Sequence, residues 1–325
     1  MVRALGLLSG GLDSILAACV LKEQGIAVTG IAFESPFFGS ERAKRAAEAL
    51  HIPLVVHDIT VPHLAMMKKP KHGFGSNMNP CIDCHALMVG IACGIMKEKG
   101  FDFVFTGEVL NERPMSQNKR ALKVVEKGSG CEGYLLRPLS AKLLEETIPE
   151  KEGKVDRERL LDLHGRSRKP QIALARKYGV TVYAQPAGGC LLTDPGFSKR
   201  LRDLRDQEGL DEVRNIHLLK IGRHFRLPSG RKVIVGRNEV ENKKLEDLAC
   251  AGDALLDPRG IPGPTVILPG GGSDTDLMEA ARACARYSDA KSGEPVSIEY
   301  RCGDAISTLN ISCPAPEEIT LQQIS

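Results

Sequence analysis

Apolar runs and amphipathic stretches alternate regularly through the first half of the chain. Apolar runs of strand length lie at 2–8, 27–33, 53–59 and 101–107, with shorter ones at 134–137 and within 176–186. Apolar residues at helical spacing lie between them, at 12–24, 40–50 and 82–99. This alternation predicts an α/β fold with a parallel sheet wrapped by helices, in which ligands bind at the carboxyl ends of the strands.

The pattern changes near residue 195. Beyond it the chain is first basic, then rich in glycine and proline at 260–273, and it ends with a predicted helix and strand. A chain of 325 residues is long enough for two cores. We therefore predict a parallel-sheet domain at 1–195 and a second, smaller α+β domain at 196–325.

Composition and charge narrow the possible partners. The chain has no tryptophan and only 4% aromatic residues, so aromatic stacking is not expected to be the main way of binding RNA. The net charge is only +3, but residues 199–244 carry an excess of six positive charges. No signal peptide and no apolar stretch of membrane-spanning length is found, so a cytoplasmic protein without a membrane partner is expected.

A glycine loop follows the first predicted strand and begins the first helix. Its sequence Ser-Gly-Gly-Leu-Asp-Ser places the predicted ATP contacts at Ser9, Gly10, Gly11, Asp13 and Ser14. Two glycines allow the backbone N–H groups to point at an anion, and the positive end of the helix dipole faces it. The loop lacks the lysine of a Walker A motif, which suits binding of the released pyrophosphate better than γ-phosphoryl transfer.

This loop resembles the PP-loop of N-type ATP pyrophosphatases, and the motifs after it resemble tRNA 4-thiouridine synthetases over about 3–190. The matching motifs are Phe-Glu-Ser-Pro from Phe33, Thr-Gly-Glu around Gly107, Ser116-Gln117, and Leu-Arg-Pro-Leu from Leu136. The resemblance implies that ATP also contacts Phe33, Gly107, Ser116 and Gln117, with Mg²⁺ near Asp13. Glu108 is interpreted either as part of the nucleotide pocket or as a helix or turn cap. The family's N-terminal RNA-binding region and rhodanese-like domain are not recognisable, so RNA binding and sulfur delivery are expected from other parts.

Three cysteines are predicted at the same sheet edge as the loop. Cys81 and Cys84 form a CxxC motif at a helix start, where a lowered thiol pKa is expected, and Cys190 follows two glycines. Three thiolates without a clear fourth ligand predict a 4Fe–4S cluster with one open iron, and this arrangement resembles cluster-containing thiolation enzymes. His85 is expected to point elsewhere. A structural zinc site and a redox pair with Cys190 as persulfide carrier remain open.

The other cysteines are expected to be structural. A disulfide framework is not expected in a cytosolic chain. Buried packing of free thiols is predicted for Cys19, Cys93, Cys250 and Cys284, and a structural role for Cys302 and Cys313.

The second domain resembles the NFACT-R RNA-binding domain over about 217–300. The motifs are Gly-Arg-Asn-x-x-x-Asn from Gly236, Pro-Gly at 262–263 and a predicted helix ending in Tyr287-Ser288. A tryptophan- and histidine-bearing strand expected at 251–256 lacks both residues. The predicted RNA contacts, all to phosphates, are Arg226, Arg231, Lys232 and Arg237, and Arg223 can supply a further one. Without the domain resemblance, a solvated charged face would be the preferred interpretation of these residues.

Together these features predict an ATP-dependent tRNA sulfurtransferase. The base carbonyl would be adenylated, and sulfur from sulfide or from a cysteine desulfurase would replace the oxygen. A different PP-loop enzyme, such as an amide-forming ligase or a small-molecule thiolase, remains an alternative. So does an RNA-binding protein with a regulatory nucleotide site.

Overall fold

The structure, a computed structural model, describes residues 1–183, 190–318 and 321–324. It divides into two compact units, Met1–Asp194 and Pro195–Ser325. We refer to them as the N-terminal unit and the C-terminal unit. In the described ranges, no helix is both long and apolar enough to cross a membrane.

The N-terminal unit contains a parallel sheet of five strands among the described residues, in the order β3-β2-β1-β4-β5. The strands are β1 (Arg3–Leu7), β2 (Ala27–Glu34), β3 (Leu54–Asp58), β4 (Phe103–Phe105) and β5 (Leu135–Leu136). The helices are α1 (Leu12–Glu23), α2 (Glu41–Leu50), α3 (Thr60–Lys68), α4 (Cys81–Lys99), α5 (Lys119–Ser129), α6 (Ile148–Lys151) and α7 (Lys169–Lys177). The predicted α/β fold class is confirmed.

Two apolar clusters cover the two faces of this sheet. One cluster contains α1 residues such as Leu16 and Val20 together with Ala47 of α2 and Ala175 of α7. The other contains α4 residues and Val125 of α5. Because both faces are buried, the central strands are apolar throughout, which explains why they were recognisable in the sequence.

Three predictions for this unit need correction. Between the strand predicted at 53–59 and the helix predicted at 82–99, the sequence pattern predicts only a loop, but the structure contains α3 there; Pro62 lies in its first turn, where a missing N–H is tolerated. Helix α5 was not predicted; the Asn118 side chain caps it by accepting a hydrogen bond from the Ala121 N–H at 2.9 Å. Of the strand predicted within 176–186, residues 176–177 end α7 and 178–183 form no strand, while 184–186 lie outside the described residues.

The C-terminal unit contains an antiparallel sheet with seven strands in its described part, in the order β11-β10-β8-β9-β7-β6-β12. The strands are β6 (Arg223–Arg226), β7 (Lys232–Val235), β8 (Ala254–Arg259), β9 (Val266–Leu268), β10 (Pro295–Cys302), β11 (Ala305–Ser312) and β12 (Gln322–Gln323). The helices are α8 (Pro195–Gln207), α9 (Val213–Leu218), α10 (Glu239–Leu248) and α11 (Asp274–Arg286). Helix α11 packs its alanine-rich face on this sheet, and Leu256, Val266 and Ile298 belong to the same core.

Two expectations about the cysteines are wrong. Cys93 is not a free thiol: its sulfur is bonded to that of Cys131, which connects α4 to the segment before β5. Cys250 is exposed and not packed in a core, because it lies in the turn between α10 and β8. Cys19 and Cys284 are buried free thiols, as predicted.

Candidate active site

The phosphate loop lies between the carboxyl end of β1 and the first turn of α1. The Ser14 hydroxyl donates to the Gly11 carbonyl at 2.8 Å and accepts from the Ser9 N–H at 3.3 Å, which closes the loop on itself. Gly10 has φ +73°, and a Cβ there would lie 2.4 Å from the Arg42 backbone. Glycine is therefore required at this position both by conformation and by space. The N-cap residue of α1 is Gly11, which has no side chain to cap the helix, so N–H groups of the first turn remain available to a bound anion.

The end of β4 lies directly against this loop. A Cβ on Gly107 would lie 2.4 Å from the Ser14 nitrogen and 2.5 Å from the Asp13 carbonyl carbon. Beyond it, residues 111–118 form a tight turn, in which the Gln117 side chain accepts a hydrogen bond from the Arg113 N–H at 3.0 Å. Ser116 and Gln117 are both buried, so their first effect is to shape this turn. Phe33, at the carboxyl end of β2, packs in the core with its ring edge-on to His57.

Asp13 has neighbours that the sequence did not reveal. Arg168 and Arg113 both act on its charge, and the Gln171 side chain hydrogen-bonds to it. Burial raises the pKa of Asp13, and the two arginines oppose that shift without cancelling it. Gln171 lies in α7, which packs against α1, and Arg168 immediately precedes α7. No local pattern in the sequence connects these side chains to a loop more than 150 residues earlier.

The CxxC motif begins α4. Cys81 is partly buried, and the Asn79 amide donates to its sulfur at 3.3 Å. Cys84 is buried, with the Nε2 atom of His63 3.6 Å from its sulfur. Burial, and after it the nearby Cys190 and Cys81, raise the pKa of the Cys84 thiol. This direction is opposite to the one expected for a helix start, because desolvation of the Cys84 thiol outweighs the helix dipole.

Cys190 is brought to the same place as the CxxC motif. The thiols of Cys81, Cys84 and Cys190 influence one another electrostatically. The segment after Cys190 is attached to two loops at this edge: the Leu191 N–H donates to the Phe37 carbonyl at 3.2 Å, and the Asn77 amide donates to the Thr193 carbonyl at 2.9 Å. Burial raises the pKa of Cys190 to about 11, although the Leu192 N–H lowers it. Gly188 and Gly189, expected to allow this approach, lie outside the described residues.

The three thiols can be compared with the needs of a metal. A single zinc ion would require sulfurs roughly 3.8 Å apart, since each Zn–S bond is about 2.3 Å long. The described ranges contain no group of three Cys, His, Asp or Glu side chains already arranged to hold one metal ion. A cluster is larger and accepts more widely spaced sulfurs, and a hydrogen-bond donor near a sulfur, such as the Asn79 amide beside Cys81, suits it.

A buried polar cluster stands beside the cysteines. The Glu108 carboxylate accepts hydrogen bonds from Arg137 Nε at 3.0 Å, Thr106 Oγ1 at 3.0 Å and His85 Nδ1 at 2.9 Å. His85 is thus directed to Glu108 and away from the cysteines. Burial alone would raise the pKa of Glu108, but the charges and hydrogen bonds of Arg137 and His85 outweigh it and lower the pKa to about 2.

The basic residues of the C-terminal unit differ in their surroundings. Arg226 is largely buried and bonds both oxygens of Asp203, at 3.0 and 2.7 Å, and Glu208 at 2.8 Å. Lys232 is buried beside the same two carboxylates. Arg231 is 47% exposed and Arg237 50% exposed, the latter paired with Glu241 on the surface. Arg226 and Lys232 therefore stabilise the unit internally, which argues against direct phosphate contacts by them.

The parallel sheet of the N-terminal unit, with a lysine-free glycine loop at the end of its central strand, resembles an ATP-pyrophosphatase-type domain. Residues 2–148 match the family of the thiamine biosynthesis protein (ThiI), and residues 222–322 match the NFACT protein RNA-binding domain. The resemblances stated from the motifs are confirmed by these two matches.

Individual relatives extend the comparison. A tRNA-specific 2-thiouridylase MnmA 2 of Thermoanaerobacter sp. (strain X514) is 28% identical over 247 residues, 67% of this chain and 63% of the relative. A probable tRNA sulfurtransferase of Clostridium acetobutylicum is 29% identical over 119 residues, 34% of this chain and 30% of the relative. The chain thus spans less than two thirds of either relative. A solved 4-thiouridine synthetase–RNA complex with bound ATP superposes with a TM-score of 0.36 at 22% identity, covering 55% of this chain and 51% of that one.

Proposed function

We propose that this protein is an ATP-dependent tRNA sulfurtransferase that converts a uridine to a thiouridine. The observation that carries the proposal is the placement of the phosphate loop and of Cys81, Cys84 and Cys190 in the same compact unit, of which residues 2–148 match the ThiI family. Relatives whose names describe tRNA thiolation, and the NFACT-type C-terminal unit, support tRNA as the substrate.

The first step is activation of the base. ATP binds with its phosphates on Ser9–Ser14, and Mg²⁺ binds near Asp13, whose buried Oδ1 has no hydrogen-bond partner among the described residues. The carbonyl oxygen of the base attacks the α-phosphorus; the new O–P bond forms as the bond to pyrophosphate breaks. The oxygen now leaves as part of AMP, a far better leaving group than oxide.

The second step replaces the oxygen. Hydrosulfide adds to the activated carbon; the C–O bond breaks, AMP leaves, and the sulfur loses its remaining proton. A cysteine desulfurase would deliver its sulfur as a persulfide, and two electrons from an external thiol would first have to reduce that persulfide to hydrosulfide. Cys81, Cys84 and Cys190 would hold a 4Fe–4S cluster, which with three protein ligands supplies one iron free to bind sulfide. The residues of the chain then have two tasks: the cysteines hold the sulfur source, and the burial of Cys84 limits access of water.

Iron content separates the candidates for the cysteine site. Protein purified without oxygen should be brown, with broad absorption near roughly 400 nm and about four irons per chain. Cys81→Ala, Cys84→Ala and Cys190→Ala should each lose most of the iron and the thiolation of tRNA while still binding ATP. Cys250→Ala is the matched control, since this exposed cysteine lies in the C-terminal unit and should retain both.

Other outcomes would select other chemistry. A colourless anaerobic protein with one zinc would replace the cluster by a structural metal site. Iron-free protein that still thiolates tRNA, and loses this activity in Cys190→Ala, would indicate persulfide transfer through Cys190.

The reaction class has its own test. Asp13→Ala should abolish AMP formation and leave tRNA binding nearly unchanged. ATP–pyrophosphate exchange that requires tRNA would separate this enzyme from an amide-forming ligase or a small-molecule thiolase. If the protein formed no AMP with tRNA and sulfide present, and cells lacking it kept all their thionucleosides by mass spectrometry, the proposed function would be wrong.

A further inference from the structure

Three buried polar atoms around Asp13 have no hydrogen-bond partner among the described residues. They are the Oδ1 atom of Asp13, the Nε atom of Arg168 and the Oε1 atom of Gln171. They belong to one neighbourhood, because Arg168 acts on the charge of Asp13 and the Gln171 side chain hydrogen-bonds to it. Buried polar groups are almost always paired in folded proteins, so a group of unpaired ones marks a place where a ligand or ion belongs.

The three atoms offer two kinds of binding. The Nε–H of Arg168 is a hydrogen-bond donor on a positively charged guanidinium group, which suits an anion. The oxygens of Asp13 and Gln171 are acceptors of the type that Mg²⁺ prefers. A second carboxylate, Glu112, lies close enough to Asp13 for the two negative charges to interact. A bound cation would offset the repulsion between these two carboxylates.

A second arginine reaches this place from another segment. Arg113 acts on the charge of Asp13, and its side chain is exposed. Its backbone is held by the turn described above, since the Arg113 N–H donates to Gln117 Oε1 and the Arg113 carbonyl accepts from the Gln117 N–H at 2.7 Å. The buried Gln117 thereby fixes the position of the Arg113 backbone, from which the Arg113 side chain extends. Arg113 and Arg168 therefore approach Asp13 from the loop after β4 and from the start of α7.

The phosphate loop itself carries no cationic side chain, although a bound nucleoside triphosphate brings several negative charges to it. Backbone N–H groups and the helix dipole supply only partial positive charge. Arginine supplies a full charge and a planar fork that matches phosphate oxygens. This need is met by the two arginines placed at the loop.

We infer that Arg113 and Arg168 bind the pyrophosphate portion of ATP on the Ser9–Ser14 loop, and that Gln171 joins Asp13 in binding the accompanying Mg²⁺. The inference rests on the proposed function only in taking ATP as the ligand. Arg168 and Gln171 form one part of the site, since they flank the start of the same helix, and Arg113 forms the other.

Binding measurements on the full-length protein test the arginines. The variants are Arg168→Gln and Arg113→Gln, with Arg166→Gln as matched control, because Arg166 is an exposed arginine two residues before Arg168. Each of the first two should weaken binding of MgATP and of magnesium pyrophosphate by about 10- to 100-fold, the usual effect of losing a charged hydrogen bond. AMP binding and the thermal unfolding midpoint should change little, and Arg166→Gln should resemble the wild type. Arg168→Lys should recover part of the loss, since it restores the charge without the fork.

The Mg²⁺ dependence of ATP binding tests the role of Gln171. Gln171→Met keeps the volume and removes the oxygen, so half-maximal ATP binding should require several-fold more Mg²⁺. ATP binding with wild-type affinity in both Arg168→Gln and Arg113→Gln would overturn the inference while the proposed thiolation stands. Equal losses for ATP and AMP would also overturn it, because they would indicate a general distortion. A wild-type protein that binds neither ATP nor pyrophosphate would overturn both the inference and the proposed function.

Discussion

Arg137 and Glu108 form a buried ion pair at the carboxyl end of the parallel sheet. The Nε atom of Arg137 lies 3.0 Å from Oε2 of Glu108, and the two side chains are only 4% and 6% exposed. The other carboxylate oxygen accepts from His85, which is the neighbour of Cys84 in α4. The pair therefore connects the sheet edge that carries the phosphate loop with the helix that carries two of the three candidate cysteines.

Removing the charge of Glu108 should be costly. Glu108→Gln leaves the Arg137 guanidinium buried without its main partner, and breaking a buried pair in this way costs about 3–5 kcal/mol in the free energy of unfolding. Denaturant unfolding measures this loss. Glu126→Gln is the control: Glu126 is 25% exposed and lies 3.5 Å from Arg137, so a loss below about 1 kcal/mol is expected. Equal stability of the two variants would contradict the importance given to the Glu108 pair.

The same pair gives the unit a defined acid sensitivity. The pKa of Glu108 is lowered from 4.5 to about 2 in the folded protein, mainly by Arg137 against the effect of burial. The unfolded chain therefore binds the proton more readily, so the stabilisation is fully present above about pH 4.5 and is lost as the pH falls towards 2. Over this range the unfolding free energy of the wild type should fall more steeply than that of Glu108→Gln. Parallel pH profiles would show that Glu108 does not carry this effect.

The parts of the site that could be predicted from the sequence are those built by short segments. The Ser9–Ser14 loop needs only a strand, two glycines and a helix start, all consecutive in the chain. The surroundings of Asp13 could not be predicted in this way, because Arg168 and Gln171 become neighbours of Asp13 only when α7 packs on α1. The same holds for Cys93 and Cys131, whose pairing depends on how α4 and the segment after α5 meet. The charge of Arg226 is visible in the sequence and predicts an RNA contact, whereas its ion pair with Asp203 of α8 becomes visible only in the structure.

Gly107 offers a test of the contact between β4 and the phosphate loop. A Cβ at this position would meet backbone atoms of Asp13 and Ser14 at 2.4–2.6 Å, so the loop must move. Gly107→Ala should therefore weaken ATP binding at least about tenfold and destabilise the unit by about 1–3 kcal/mol. Gly94→Ala is the matched control, since a Cβ there meets nothing within 4 Å and alanine favours the α4 helix. An unchanged affinity of Gly107→Ala for ATP would place the nucleotide phosphates away from this loop.

The arginines of the C-terminal unit should separate into two groups. Arg231 and Arg237 are about half exposed, and the surface pair of Arg237 with Glu241 can exchange for a phosphate at little cost. The double variant Arg231→Ala/Arg237→Ala should therefore weaken tRNA binding and flatten the log–log dependence of affinity on salt by up to about 2. Arg226→Ala should instead lower the thermal stability, because it leaves Asp203 without its bidentate partner.

Filter binding of tRNA over a series of salt concentrations, with thermal unfolding of each variant, measures both effects. Arg259→Ala is the control for surface charge, since Arg259 is 59% exposed and paired with Glu299 in the same sheet. It should change the salt dependence less than the double variant does. A double variant that binds tRNA with the wild-type affinity and salt dependence would move the RNA site away from Arg231 and Arg237. If Arg226→Ala flattened the salt dependence without lowering the thermal stability, Arg226 would contact phosphate despite its ion pairs with Asp203 and Glu208.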